Sequence, residues 1–163
     1  MRYPLQLSRS GDFIEGLVDL PSVDAGTDLM LPTGCRPAVY TSKGVVGTEA
    51  DLDVGLGQAW VAVELAKASR YKEWIRKLIA QGLLALGPGA LPLLATKSAA
   101  GLYTSLPVVE WGIGPLHVPG GGYAVSSADI VRRFEQVGAH LPPETWQWLD
   151  AQAAQEAERN AAA

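Results

Sequence analysis

The sequence predicts an α+β domain, mostly β, with a helix beside the sheet and a helical appendage at its C-terminal end. Three observations carry this expectation. Val61, Val63 and Leu65 alternate with Trp60, Ala62 and Glu64, the period of two of a half-buried strand. Directly after them Tyr71, Trp74, Ile75, Leu78 and Ile79 recur at helical spacing. Beyond Gly120-Gly121-Gly122 the apolar pattern becomes helical again.

Taken in order, Tyr3 to Leu7 and Phe13 to Leu20 read as two strands flanking the turn residues Ser10-Gly11-Asp12, a hairpin. The stretch 21–37, rich in Gly, Pro, Asp and Thr, reads as a loop, and Pro37 to Tyr40 as a short strand. Ala59 to Leu65 is the clearest strand. The central helix is predicted over Ser69 to Gln81, with Ser69 as N-cap and Gly82 as its stop. Lys72, Glu73, Arg76 and Lys77 occupy its polar surface. The apolar segment Leu83 to Leu94 is broken by Gly87-Pro88-Gly89, which reads as a tight turn. Leu102 to Val109 and Trp111 to Val118 read as separate strands.

Gly120 to Gly122 forms a flexible joint, because no bulky side chain restrains it. Ser126-Ser127-Ala128-Asp129 resembles a capping box ahead of an apolar stripe of Ile130, Val131, Phe134 and Val137. Leu141-Pro142-Pro143-Glu144 ends that helix and opens another, carrying Trp146, Leu149 and Ala153. The alanine-rich tail 151–163 is expected to fray. These elements divide the chain into a β domain over 1–119 and a joint with a helical extension over 120–163.

Composition narrows the function. At 163 residues and 48% apolar content, the chain can bury one sizeable core. Charged residues are 18%, below the usual quarter or so, which favours extensive contacts and a homo-oligomer. The formal charge of −4 and the lack of any basic cluster beyond pairs such as Arg132-Arg133 argue against nucleic-acid binding. One cysteine, Cys35, excludes an internal disulfide framework and fits a reducing cytoplasm. No apolar run reaches membrane-spanning length and the start of the chain lacks an apolar signal core, so no membrane partner is expected. With one Cys and two scattered histidines, His117 and His140, no metal site appears. Neither glycine-rich stretch has the spacing and lysine of a phosphate loop, so no cofactor is expected.

From Arg36 to about Pro115 a series of short pieces occurs in a telling order. Arg36-Pro37-Ala38-Val39-Tyr40 is followed by a Gly/Val turn, the strand Gln58 to Leu65, and Ala68-Ser69-Arg70-Tyr71 leading into the helix. Leu78-Ile79-Ala80-Gln81-Gly82-Leu83-Leu84, Gly89-Ala90-Leu91-Pro92 and Leu106-Pro107-Val108-Val109-Glu110 complete it. In that order they resemble the prohead (capsid-maturation) protease family of tailed phages. Its members carry a comparable Arg-Tyr helix, a Leu-Ile-x-x-Gly-x-Leu helix end, a Ser-Gly-Ala strand and a Trp-Pro-x-Val-Glu strand. Asp24-Ala25-Gly26-Thr27-Asp28 matches a Gly/Asp-rich segment found in relatives. The resemblance covers roughly half the chain.

That resemblance implies an assemblin-like β-barrel flanked by helices, the fold of a serine protease that works inside the immature head. The catalytic positions it implies are occupied by other residues. Where relatives have the histidine, shortly beyond the Arg-Pro-x-x-Tyr strand, this chain has Ser42. Where the nucleophile precedes Gly-Ala, it has Pro88, which lacks even the N–H that could help hold an oxyanion. The third, acidic position is kept as Glu110. Loss of a nucleophile or base costs several orders of magnitude in rate.

The resemblance therefore implies a pseudoprotease: a non-proteolytic homologue in capsid assembly, or a virion structural or decoration protein. Its partner would be the major capsid or scaffolding protein, in the host cytoplasm during assembly or in the virion. The alternative is an active capsid-maturation serine protease with relocated residues, for which Ser98 or Ser105 with His117 are the candidates. Cys35 beside Arg36 is a further nucleophile to consider, although an inert thiol accounts for it, and Ser126 and Ser127 suit capping. A binding module of an unrelated family is the third reading.

Overall fold

The computed structural model describes residues 2–11, 13–91, 94–117, 123–124, 128, 131–132 and 143–162. The strands are β1 (Gln6–Leu7), β2 (Phe13–Asp19), β3 (Val23–Asp28), β4 (Ala38–Thr41), β5 (Gly44–Gly55), β6 (Gln58–Leu65), β7 (Leu84–Ala90), β8 (Thr96–Lys97), β9 (Tyr103–Ser105), β10 (Val108–Pro115) and β11 (Tyr123–Ala124). Helix α1 (Lys72–Ala80) lies between β6 and β7, and α2 (Pro143–Ala162) follows β11. The fold is α+β and mostly β, as composition and periodicity predict.

One eight-stranded sheet runs in the order β1-β2-β6-β5-β4-β10-β7-β11, and β3-β9-β8 form a second. The large sheet is antiparallel except where β10 meets β4 and where β11 meets β7. It curls into a half-barrel. Its far strands are drawn together where the Leu5 N–H donates to the Leu84 carbonyl at 2.8 Å. Gly16 of β2 makes the approach possible, since a Cβ there would lie 2.8 Å from Leu5 Cδ2 and 3.2 Å from Leu86 Cβ. Ile14, Val39, Val46, Val61, Val63 and Trp111 fill the interior.

Helix α1 closes one end of this interior with Ile75 and Ile79. Its stop is the predicted one. Gly82 takes φ +70°, its N–H donates to the Ile79 carbonyl at 2.9 Å, and the Leu83 N–H reaches the Leu78 carbonyl at 3.1 Å. Its start is later than predicted. Tyr71 occupies the cap position without a side-chain cap bond, while Ser69 Oγ accepts from the Tyr71 N–H at 3.3 Å and shapes the preceding turn.

Helix α2 lies on the outer face of the sheet, where Leu149 is buried with Ala38, Tyr40, Leu91 and Val109. Strands β4 and β10 thus serve two cores. A bulge between Val108 and Glu110 shifts the phase of β10, so Val108 and Trp111, three residues apart, both join the interior.

Further sequence expectations are corrected. The supposed loop 21–37 contains β3, whose partner β9 lies far along the chain (Val23 opposite Tyr103), a pairing that local composition does not reveal. The Gly/Val turn expected after Tyr40 is instead the start of the 12-residue β5, rich in glycine and acids. Gly87-Pro88-Gly89 is no turn but the buried middle of β7. There β11 pairs only from Gly89 onward, so at Pro88 one edge of β7 carries no described ladder, a position where a strand tolerates proline. Finally, the alanine-rich tail is helical through Ala162, with Glu156 buried rather than frayed.

The two expected strands 102–109 and 111–118 are instead β9 and a continuous β10 running through Glu110. The Gly120 to Gly122 joint, the boundary between 119 and 120, and most of the capping box and stripe over 126–137 lie outside the described residues. Of that helix, Ala128, Val131 and Arg132 are described and helical.

Leu149 is fully buried beneath α2. Leu149→Ala is expected to cost about 2–5 kcal/mol. Chemical denaturation of the two proteins checks this, with a loss of α2 docking visible in tryptophan emission from Trp146 and Trp148.

Candidate functional site

Strands β4, β10 and β7 lie side by side, and they carry or adjoin the three positions that the sequence singles out. Glu110 is opposite Ala38 of β4 on one side and Gly89 of β7 on the other. It is 1% exposed. Its side chain crosses Gly89 so closely that a Cβ at that position would overlap Glu110 Cγ and stand 2.9 Å from Oε1. Glycine at 89 is therefore a requirement of Glu110, not a sign of a turn. Ala38 and Tyr40 on the same side of β4 belong to the core under α2, which places Glu110 on the outer, helix-covered face.

Pro88 is paired with Trp111 and shares its inward orientation. Glu110 and Pro88 are thus neighbours on adjacent strands that face opposite sides of the sheet. Ser42 is exposed in the turn after β4. With Tyr40 level with Gly112, Ser42 stands four residues beyond Glu110 along the sheet, roughly 13 Å at strand spacing. The structure brings the three strands together without making Ser42, Pro88 and Glu110 converge.

The alternative pair is not assembled. Ser105 belongs to β9 in the smaller sheet and His117 is exposed in the turn after β10. The whole of β10 separates them, on the order of 20 Å of extended chain. Ser98 lies before β9, hydrogen-bonded through its backbone N–H to the Leu102 carbonyl, also at the far end from His117. The basic neighbour proposed to activate Cys35 is directed elsewhere, since Arg36 Nη1 reaches Glu49 Oε2 at 3.3 Å.

That last contact belongs to a group the sequence reading missed. Glu49 of β5 is 4% exposed, and its Oε1 accepts a hydrogen bond from the Trp111 indole N–H at 2.9 Å. Burial raises its carboxyl pKa above the ordinary value, opposed by the Trp111 hydrogen bond and by the nearby Arg36 charge. Consecutive residues of β10 thus contact buried carboxylates on opposite faces: Glu110 is its own, outward, and Trp111 holds Glu49, inward. Glu49 lies in β5, whose glycines and acids signal a loop rather than a strand. The only available signal was an acid three residues after the apolar pair Val45-Val46. Among the described residues no group of three or more His, Cys, Asp or Glu could hold a metal ion.

Compared with known proteins, the chain matches no family model, no curated protein and no solved structure.

Overpacking by the added methyl of Gly89→Ala is expected to destabilise the fold by about 1–3 kcal/mol. The double variant Gly89→Ala/Glu110→Ala should lose less than the sum of the two single changes, because the overlap disappears with the Glu110 side chain. A double-mutant cycle in urea reads that coupling, and strict additivity would contradict the contact.

Glu49 gives a pH signature. A carboxyl whose folded pKa is raised contributes stability that is fully present below its unfolded value, near 4.5, and is lost as pH rises through the folded value. Relative to Glu49→Gln, the parent protein should therefore gain stability as pH falls from neutral toward 4.5. Urea midpoints of both proteins across that range test the sign.

Proposed function

We propose that the chain is a non-proteolytic homologue of the phage prohead proteases, with an assemblin-like barrel, acting in capsid assembly or as a structural component of the virion. The observation that carries this reading is the side-by-side placement of β4, β10 and β7 with unreactive residues at the positions where the family resemblance expects chemistry. Those positions hold Ser42 on an exposed turn, Pro88 turned inward and Glu110 buried against Gly89. A serine protease needs its nucleophile within hydrogen-bond reach of a base, with a donor pair for the oxyanion. Here the acid is buried with its side chain lying across Gly89, on the opposite side of the sheet from Pro88.

On this reading the barrel is retained for binding. The natural partner is the major capsid or scaffolding protein, the substrate class of an active relative, met in the host cytoplasm while the head is assembled. Retaining the surface that recognises such a partner, while losing the hydrolytic step, turns an enzyme–substrate encounter into a stable contact.

The test is incubation of the purified protein with the major capsid or scaffolding protein encoded beside it, followed by intact-mass analysis and size-exclusion chromatography. Intact masses with co-elution are expected. Defined cleavage products that a serine-directed inactivator suppresses would overturn the non-proteolytic reading, and separate elution of intact proteins would overturn the partner.

A further inference from the structure

The outer face of β2, β6 and β5 lies away from the core under α2 and carries the exposed residues Phe13, Asp51, Asp53 and Glu64. Cross-strand rows set Leu17, Trp60 and Asp53 in one line, and Glu15, Ala62 and Asp51 in the next. Two hollows flank Trp60. One, of about 260 Å³, lies between Trp60, Glu15 and Tyr3, and the other, of about 250 Å³, between Trp60, Phe13 and Asp51. Phe13 is 37% exposed at their edge. Asp51, Asp53 and Glu64 are exposed around this aromatic centre and Glu15 is half-buried in it. Among the described residues none of these four carboxylates is held in an ion pair.

The same chain carries a surface of the opposite kind. Trp74 of α1 is 48% exposed. Trp74 and Lys77, three residues apart, share one side of the helix, and Lys67 and Arg70 are exposed in the turn that leads into it. The aromatic group is held in place, since Tyr71 meets Trp74 edge to face at 6.4 Å and Arg70 lies 5.0 Å over the Tyr71 ring. The one acid on this side, Glu73, is engaged by Arg76 at 3.6 Å.

We infer that two copies of this chain associate by laying the basic, tryptophan-centred side of α1 from one copy on the acidic outer face of β2, β6 and β5 of the other. Trp74 enters a hollow beside Trp60, and Lys67, Arg70 and Lys77 meet Glu15, Asp51, Asp53 and Glu64. The helix does not serve its own sheet in this way, because Ile75 and Ile79 fasten it into the end of its own half-barrel. Both surfaces sit on one copy, joined by the short segment that follows β6. In the dimer inferred here each copy gives its helix side to the other's sheet face about a two-fold axis, the arrangement that closes the pair rather than extending it into a filament. Desolvated aromatic anchors ringed by complementary charge provide both affinity and register. This inference does not depend on the capsid reading.

The test is sedimentation equilibrium of the full chain with two charge-reversed variants. Helix-reversed protein carries Lys67→Glu, Arg70→Glu and Lys77→Glu; sheet-reversed protein carries Glu15→Lys, Asp51→Lys and Asp53→Lys. The unmodified protein is expected to be a dimer that weakens as salt is raised, because rim charges are screened. Each variant alone should be monomeric, with an unchanged far-ultraviolet circular dichroism spectrum. Mixed in equal amounts they should form a heterodimer, since an acidic helix then faces a basic sheet and a basic helix an acidic sheet. A monomeric unmodified protein, a dimer that neither reversal disturbs, or variants that fail to pair when mixed would each overturn it. The last result would leave the acidic face to a cationic partner other than this chain.

Discussion

A backbone hydrogen bond from Leu5 to Leu84, beside a glycine at position 16, draws strands from opposite ends of one sheet to within contact of each other. An eight-stranded sheet in a chain of this size has no second large sheet to pack against, so it must bury one face on itself. Curling requires that side chains give way where β2 meets β7. Gly16 is where they do, and Leu5 and Leu86 fill the space its missing side chain leaves. Once the sheet is curled, the positions of Trp111, Val39 and Val61 at the centre follow, as does the need for Ile75 and Ile79 of α1 to close one end.

The curled sheet also makes β10 a two-faced strand. On its inner side Trp111 supplies both bulk and an indole donor, and the donor compensates part of the cost of burying Glu49. On its outer side Glu110 lies across Gly89 under the C-terminal helix. Its side chain lies against the Gly89 backbone, and the turn bearing Ser42 stands four residues further along the strand.

What was legible in the sequence depended on how local its cause was. The β6 alternation, the buried Ile75 and Ile79 of the α1 stripe and the Gly82 stop arise from residues within a turn or two of each other and read correctly, whereas Trp74, counted in the same stripe, is exposed. The start of α1 was misplaced because Ser69 makes a turn bond that resembles a cap in sequence. Strands β3 and β5 were hidden because glycine and aspartate normally signal loops, and only pairing with distant partners overrides that tendency. Pro88 misled for the same reason: a Gly-Pro-Gly triplet is a turn by local preference, yet here it is held extended against Trp111. Of the candidate site, Glu110 was named from the sequence but its partner Gly89 was not, and Glu49 with Arg36 was not seen at all.

By itself the sequence determined the mostly β composition of the chain and its central amphipathic helix. These depend on side-chain identity and short-range periodicity, both of which can be read one residue at a time. Only the tertiary structure decided which strands are neighbours, which face of β10 each residue occupies, and that the alanine-rich tail becomes a helix seated through Leu149. The strand outcomes rest on contacts between residues tens of positions apart, where burial and pairing outweigh the local preferences of Gly, Pro and Asp, while the helical tail follows the strong helix preference of alanine once Leu149 seats α2 on the sheet.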